Sequence, residues 1–108
     1  MQTLISRFES MLAGGRDSAL LRYTLGKAYV DEGNPQAGLE HLRKAVEMDA
    51  HYSVAWKYLG KAWLELGDAA QAREAWLRGK ACAEERGDAQ VVKELAVFLK
   101  RLDKPARS

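Results

Sequence analysis

Side chains able to make or break bonds are few in this sequence, and their spacing keeps them apart. His41 and His51 stand well apart in the chain, and neither has a second His or Cys at the spacing that brings two metal ligands together. A zinc site is therefore not expected. Cys82 is the only cysteine, so an intrachain disulfide and a cysteine cluster are both excluded. It lies in an alanine-rich stretch and reads as a small packing residue. Glu84-Glu85 has no evident acid–base partner. No glycine-rich loop leads into Lys-Ser/Thr, and no Gly-x-Ser-x-Gly elbow is present. Arg86-Gly87-Asp88 reads as a helix-ending glycine followed by a helix-capping aspartate. The expectation is a non-enzymatic protein without cofactor or metal. Trp56, Trp63 and Trp76 are large enough to stack on a ligand, but two of them fall on packing positions of a repeat, leaving Trp56 as the candidate for partial exposure.

The elements that carry these residues are helices. Ala, Leu, Glu, Lys and Arg dominate and there are 2 prolines, a composition suited to helix and poor for sheet. The 108 residues are enough for one domain and too few for two, with 47% apolar and 30% charged side chains. Lys and Arg number 17 against 15 Asp and Glu, a net charge of +2 without a block of one sign. A non-specific nucleic-acid binder carries a stronger basic excess, so no nucleic-acid partner is expected. No run reaches the roughly 18–20 apolar residues of a bilayer span, so no membrane partner is expected either. The start lacks a basic stretch followed by an apolar one, which together with the lone cysteine points to a cytoplasmic location.

The chain repeats itself at a constant offset, the one that separates Leu25 from Leu59. Leu25-Gly26-Lys27-Ala28 returns as Leu59-Gly60-Lys61-Ala62, Tyr29 as Trp63, Gly33 as Gly67, Asn34 as Asp68, Glu40 as Glu74 and Lys44 as Arg78. Leu25 and Tyr29, like Leu59 and Trp63, are one helical turn apart and share a face. A glycine inside a helix costs roughly 1 kcal/mol against alanine. Gly26 and Gly60 are therefore expected to face a bulky side chain from a neighbouring helix. Gly33-Asn34-Pro35 ends one helix and starts the next, and Gly67-Asp68 does the same, with Gln71 at capping-box spacing. Each unit is a helix, a tight turn and an antiparallel second helix. On the second helices Leu42, Ala45 and Val46 correspond to Trp76, Gly79 and Lys80, with small Gly38 and Ala72 one turn earlier.

The same register reaches both ends. Stepping back by that offset takes Leu42 to Phe8, Ala45 to Met11 and Gly38 to Leu4, so Gln2–Ala13 reads as the second helix of a preceding unit. Gly14-Gly15 turns the chain, and Asp17 or Ser18 caps the next helix. Asp88 caps a closing helix to about Leu102, whose Leu95, Ala96 and Leu99 resemble Leu59, Gly60 and Trp63 two residues late. That delay implies a two-residue extension around Glu84–Gly87. The expected layout is one domain over residues 1–104, with a leading helix in 1–17, repeats in 19–52 and 53–86, a closing helix in 88–103, and a tail over 105–108.

The pattern resembles the tetratricopeptide repeat, carried by Leu25, Gly26, Tyr29, Gly38, Leu42 and Ala45 in the first unit. In the second unit Trp56, Leu59, Gly60, Trp63, Ala72, Trp76 and Gly79 carry it. Arg22 departs from the aromatic expected before Leu25-Gly26, and Ala50 and Glu84 replace the usual closing prolines. The resemblance implies an all-α fold of about six helices, a right-handed superhelical stack of antiparallel hairpins whose first helices line a concave face. It also implies a protein–protein interaction module that docks a peptide or protein segment there.

With Leu25, Gly26 and Tyr29 turned to the core, helical spacing places Tyr23, Lys27 and Asp31 on that inner face. The next helices add Lys57, Lys61 and Glu65, then Lys93, Val97 and Arg101, flanked by Thr24, Tyr58 and Glu94. The basic groups Lys27, Lys57, Lys61, Lys93 and Arg101 outnumber the carboxylates, so an acidic segment or a terminal carboxylate is the expected partner. Some family members grip a terminal carboxylate with Lys, Asn and Arg. The single asparagine here, Asn34, falls in a turn, so a clamp of that kind is not expected. The alternative expectation is a scaffold that forms a homodimer through its apolar terminal helices.

Overall fold

Helix boundaries follow from where the chain supplies caps. The computed structural model describes residues 3–104, which form α1 (Leu4–Ala13), α2 (Ala19–Asp31), α3 (Pro35–Met48), α4 (Ser53–Glu65), α5 (Ala69–Arg86) and α6 (Ala89–Asp103). Side-chain oxygens of Thr3, Ser18, Asn34, Asp68 and Asp88 each accept from the backbone N–H three residues on. Ser18, rather than Asp17, caps α2. Gly33 and Gly67 close α2 and α4 with φ of +82° and +88°, a region that L side chains avoid. Asn34 N–H then reaches back to the Tyr29 carbonyl at 2.8 Å and Asp68 N–H to that of Trp63 at 2.9 Å. One residue thus ends each first helix and the next starts its partner. The expected two-residue delay is seen as a longer α5, 18 residues against 14 in α3, partly offset by a connection to the next helix that is two residues shorter. Gln2 and the tail over 105–108 lie outside the described residues.

The helices pack in sequence as hairpins, α2 with α3 and α4 with α5, with α1 leading and α6 closing. The helical glycines are the sockets. A Cβ on Gly26 would lie 2.9 Å from Leu42 Cδ2, and one on Gly60 would lie 2.6 Å from Trp76 Cε2, inside the indole. Leu42 and Trp76 are both buried. The reverse fit occurs at Gly79, where Trp56 Cβ and Leu95 occupy the space a side chain would need. Large-into-small contacts of this kind bring helix axes close and hold them in register.

Among the first helices, α2 touches α4 and α4 touches α6. The second helices are splayed: among the described residues no Cα of α3 comes within 8 Å of one in α5. A cleft of about 280 Å³ opens there, lined by Arg43, Trp56 and Arg78 among others. A stack that is tight on one side and open on the other curves, with α2, α4 and α6 on the inside.

Where a repeat aromatic is missing, polar groups substitute. Arg22 forms a bidentate pair with Asp17, Nε to Oδ1 at 2.8 Å and Nη2 to Oδ2 at 3.0 Å. Its Nη1 lies 3.2 Å from His41 Nδ1, and His41 Nε2 lies 3.3 Å from Glu9 on α1. An arginine is always a donor, so His41 Nδ1 accepts and Nε2–H donates to Glu9. Burial holds the imidazole below its ordinary value, with Glu9 opposing and Arg22 reinforcing the shift. The ring of Tyr29 stacks on that of His41 at 5.7 Å between centroids, so Tyr29 is half-buried rather than fully in the core.

Gly60→Ala separates packing from propensity. Alanine favours the helix by roughly 1 kcal/mol, but its methyl displaces Trp76, whose Nε1–H donates to the Lys57 carbonyl at 2.9 Å. The expected outcome is a net loss of about 1–3 kcal/mol in urea unfolding; a more stable variant would contradict the socket.

Candidate functional site

The inner face is built from three helices presenting equivalent positions. Tyr23, Lys57 and Lys93 occupy one such set, and Thr24, Tyr58 and Glu94 the next, with the second step longer than the first by the extension in α5. Side chains of the first set reach forward to the second set on the following helix. Tyr23 meets Tyr58 edge-on at 6.0 Å between centroids, and Lys57 Nζ pairs with Glu94 Oε1 at 3.1 Å. Lys93 is the last of the first set and is exposed.

Tyr58 is the centre of the face. The ammonium groups of Lys27, Lys57 and Lys61 lie 5.4, 5.6 and 4.7 Å from its ring centroid. A ring face attracts cations through its quadrupole, most strongly where water is partly excluded. The lysines differ in what else they hold. Lys27 pairs with Asp31 at 2.9 Å, and that hydrogen bond, then Tyr58, raises its pKa. Lys57 is committed to Glu94 across the α4–α6 junction and has little exposure, 14% of its side chain. Lys61 makes no ion pair among the described residues. Instead it sits over Tyr58 and also 5.4 Å from the centroid of Phe98. Glu65, one turn further along α4, stands exposed at the end of the helix and does not pair with Lys61.

Two parts of the face were not legible as site residues. Tyr52, in the turn before α4, packs on Tyr23 at 5.1 Å; burial raises the pKa of both phenols, so both stay neutral hydroxyls. Phe98, one turn beyond Glu94, packs on Trp76 at 5.1 Å. Together with Lys61, Leu64, Glu65, Trp76, Arg101 and Leu102 it lines a cleft of about 520 Å³ between α4 and α6. Extending the Tyr58–Glu94 set by one turn would have reached Phe98. Of the remaining expected residues, Thr24 turns its hydroxyl back to the Leu20 carbonyl at 2.7 Å, and Val97 is exposed on α6. No group of three or more His, Cys, Asp or Glu side chains able to hold a metal is found among the described residues.

The comparisons with known proteins agree with this fold. Residues 23–88 match the family model described as tetratricopeptide repeat. The chain belongs to the tetratricopeptide repeat family. It is 50% identical over 101 residues to a TPR repeat-containing protein of Pseudomonas aeruginosa, covering 94% of this chain and 96% of that one. A Bordetella parapertussis protein solved in solution is 56% identical, with a TM-score of 0.82 over 94% of this chain and 89% of its own. The crystal structure of a tetratricopeptide repeat domain protein from Salinibacter ruber superposes with a TM-score of 0.75 at 23% identity, over 81% of this chain and 97% of that one. That last likeness speaks to the fold alone. TPR repeats are protein–protein interaction modules, and no helix among the described residues is long and apolar enough to cross a membrane.

The Lys57–Glu94 pair joins α4 to α6 in a half-buried setting. A double-mutant cycle with Lys57→Ala and Glu94→Ala is expected to give a coupling of about 0.5–1 kcal/mol. The exposed pair Arg78–Glu74 at 3.2 Å is expected to give less. Equal couplings in urea unfolding would show that the junction is held by packing alone.

Proposed function

We propose that the concave face of α2, α4 and α6 binds an extended, acidic segment of a partner protein. The observation that carries this reading is Lys61. Its ammonium is held between the rings of Tyr58 and Phe98 with no carboxylate paired to it among the described residues. A cation so placed is already oriented and partly desolvated, and a carboxylate arriving at the groove gains its full partner. Lys93 and Arg101, both exposed on α6, extend the positive field along the groove. The cleft beside Lys61, walled by Phe98, Leu64 and Leu102, supplies apolar surface for a neighbouring side chain of the same segment. Lys27 and Lys57 contribute less, because Asp31 and Glu94 already neutralise them. The tyrosines add flat, rigid surface with hydroxyl groups, suited to peptide backbone.

Selection of a random peptide display library against the immobilised protein tests this reading. Peptides rich in Asp and Glu are expected to be enriched. Lys61→Glu is expected to weaken the selected peptides about tenfold or more, which is about 1.4 kcal/mol, and their binding is expected to fall as salt rises. Enriched peptides without acidic excess, or unchanged affinity for Lys61→Glu, would refute it.

A further inference from the structure

Phe8, Leu42 and Trp76 stand one repeat apart, at one position of α1, α3 and α5. Leu42 and Trp76 each fill the space over a glycine on the first helix of their own hairpin, and both are buried. Phe8 holds the same position with no described helix before α1 to receive it, and it is half-buried. The apolar surface around it is open: Leu4 is 64% exposed, Met11 38%, and Leu20 on the adjoining α2 65%. With Thr24 and Leu21, Phe8, Met11 and Leu20 line a cleft of about 440 Å³.

α6 is a first helix that packs on α5 before it and has no described second helix after it. Ala96, which takes the position of Gly26 and Gly60 once the two-residue extension is counted, is exposed. Val92 takes the position of Trp56, whose Cβ lies over Gly79 on α5; the α1 residue corresponding to Gly79 is Met11.

We propose that these ends fit one another and that α6 of one copy receives α1 of the next, completing a hairpin between two chains. Phe8 then sits over Ala96 and Met11 beside Val92, as Trp76 sits over Gly60 within one chain. The methyl of Ala96 makes a shallower socket than glycine, and a helix from another copy can settle further out because no turn tethers it. The same docking sets α2 of the incoming copy beside α6. The forward-reaching pairs Tyr23–Tyr58 and Lys57–Glu94 continue as Lys93 against Thr24, and the concave face runs on from copy to copy. The two surfaces differ, so the contact is head-to-tail and leaves a free end at each step, unlike a closed symmetric dimer. Its size is that of one helix packed on another, so the assembly is weak and depends on concentration. This inference does not rest on the groove's ligand.

Sedimentation velocity on the full chain, over a series reaching about 1 mM, tests it with two variants. Phe8→Glu removes the α1 surface, and Ala96→Arg removes the α6 surface from an exposed position. Met11→Glu replaces Phe8→Glu if circular dichroism shows the latter unfolded. The parent protein is expected to grow beyond a two-chain mass, and each variant alone to remain monomeric. An equimolar mixture is expected to form a two-chain species and nothing larger, since it contains one intact surface of each kind. A parent that stays monomeric, a parent that stops at a dimer, or a mixture that stays monomeric would each overturn the proposal.

Discussion

The seating of Leu42 over Gly26 and of Trp76 over Gly60 sets the distance and phase of each hairpin, and the rest of the molecule depends on it. A glycine in mid-helix is a poor helix former on its own terms. Here the absent side chain lets a large apolar group on the antiparallel partner reach the backbone, and each contact removes a nearly complete side chain from water. Once that phase is fixed at two sites one repeat apart, the neighbouring positions on each first helix are fixed too. Tyr23, Lys57 and Lys93 follow on one edge of the first helices, and Thr24, Tyr58 and Glu94 on the other.

The proposed function follows from what those edges carry. The contacts between first helices include polar and aromatic groups, the ring pair Tyr23–Tyr58 and the ion pair Lys57–Glu94. The same groups therefore hold the curvature and present a surface of rings and cations. Lys61, which makes no ion pair among the described residues, is the cation that the proposed function assigns to an external anion. Trp76 serves both sides, since its ring fills the Gly60 socket, donates to the Lys57 carbonyl and backs Phe98 beneath the groove.

The repeat made much of this readable from residue types alone. Leu25-Gly26 and Leu59-Gly60 at one offset marked the hairpins, the caps at Asn34 and Asp68 marked their turns, and helical spacing placed Lys27, Lys61 and Tyr58 on one face. Contacts between helices were harder to read. The Lys57–Glu94 pair and the Lys61–Phe98 contact depend on the two-residue extension before α6, whose presence the late Leu95-Ala96 signalled but whose effect on the seating of α6 against α4 the spacing did not give. Tyr52 joins the aromatic cluster from a turn, where periodicity carries no information about direction. Arg22 departs from the family's aromatic, and only the fold shows that Asp17, His41 and Glu9 replace the lost packing with a hydrogen-bonded chain across three helices.

The seating of the indole over Gly60 is tested most directly by hydrogen exchange at the tryptophan side chains, followed by NMR. Trp76 Nε1–H is enclosed by α4 and bonded to the Lys57 carbonyl at 2.9 Å, so its exchange requires the α4–α5 hairpin to separate. The account predicts that it exchanges only on global unfolding, far more slowly than the half-exposed Trp63 indole. Exchange of Trp76 as fast as that of Trp63 would show that the ring is not held in the glycine socket, and would remove the basis for the register of the whole inner face.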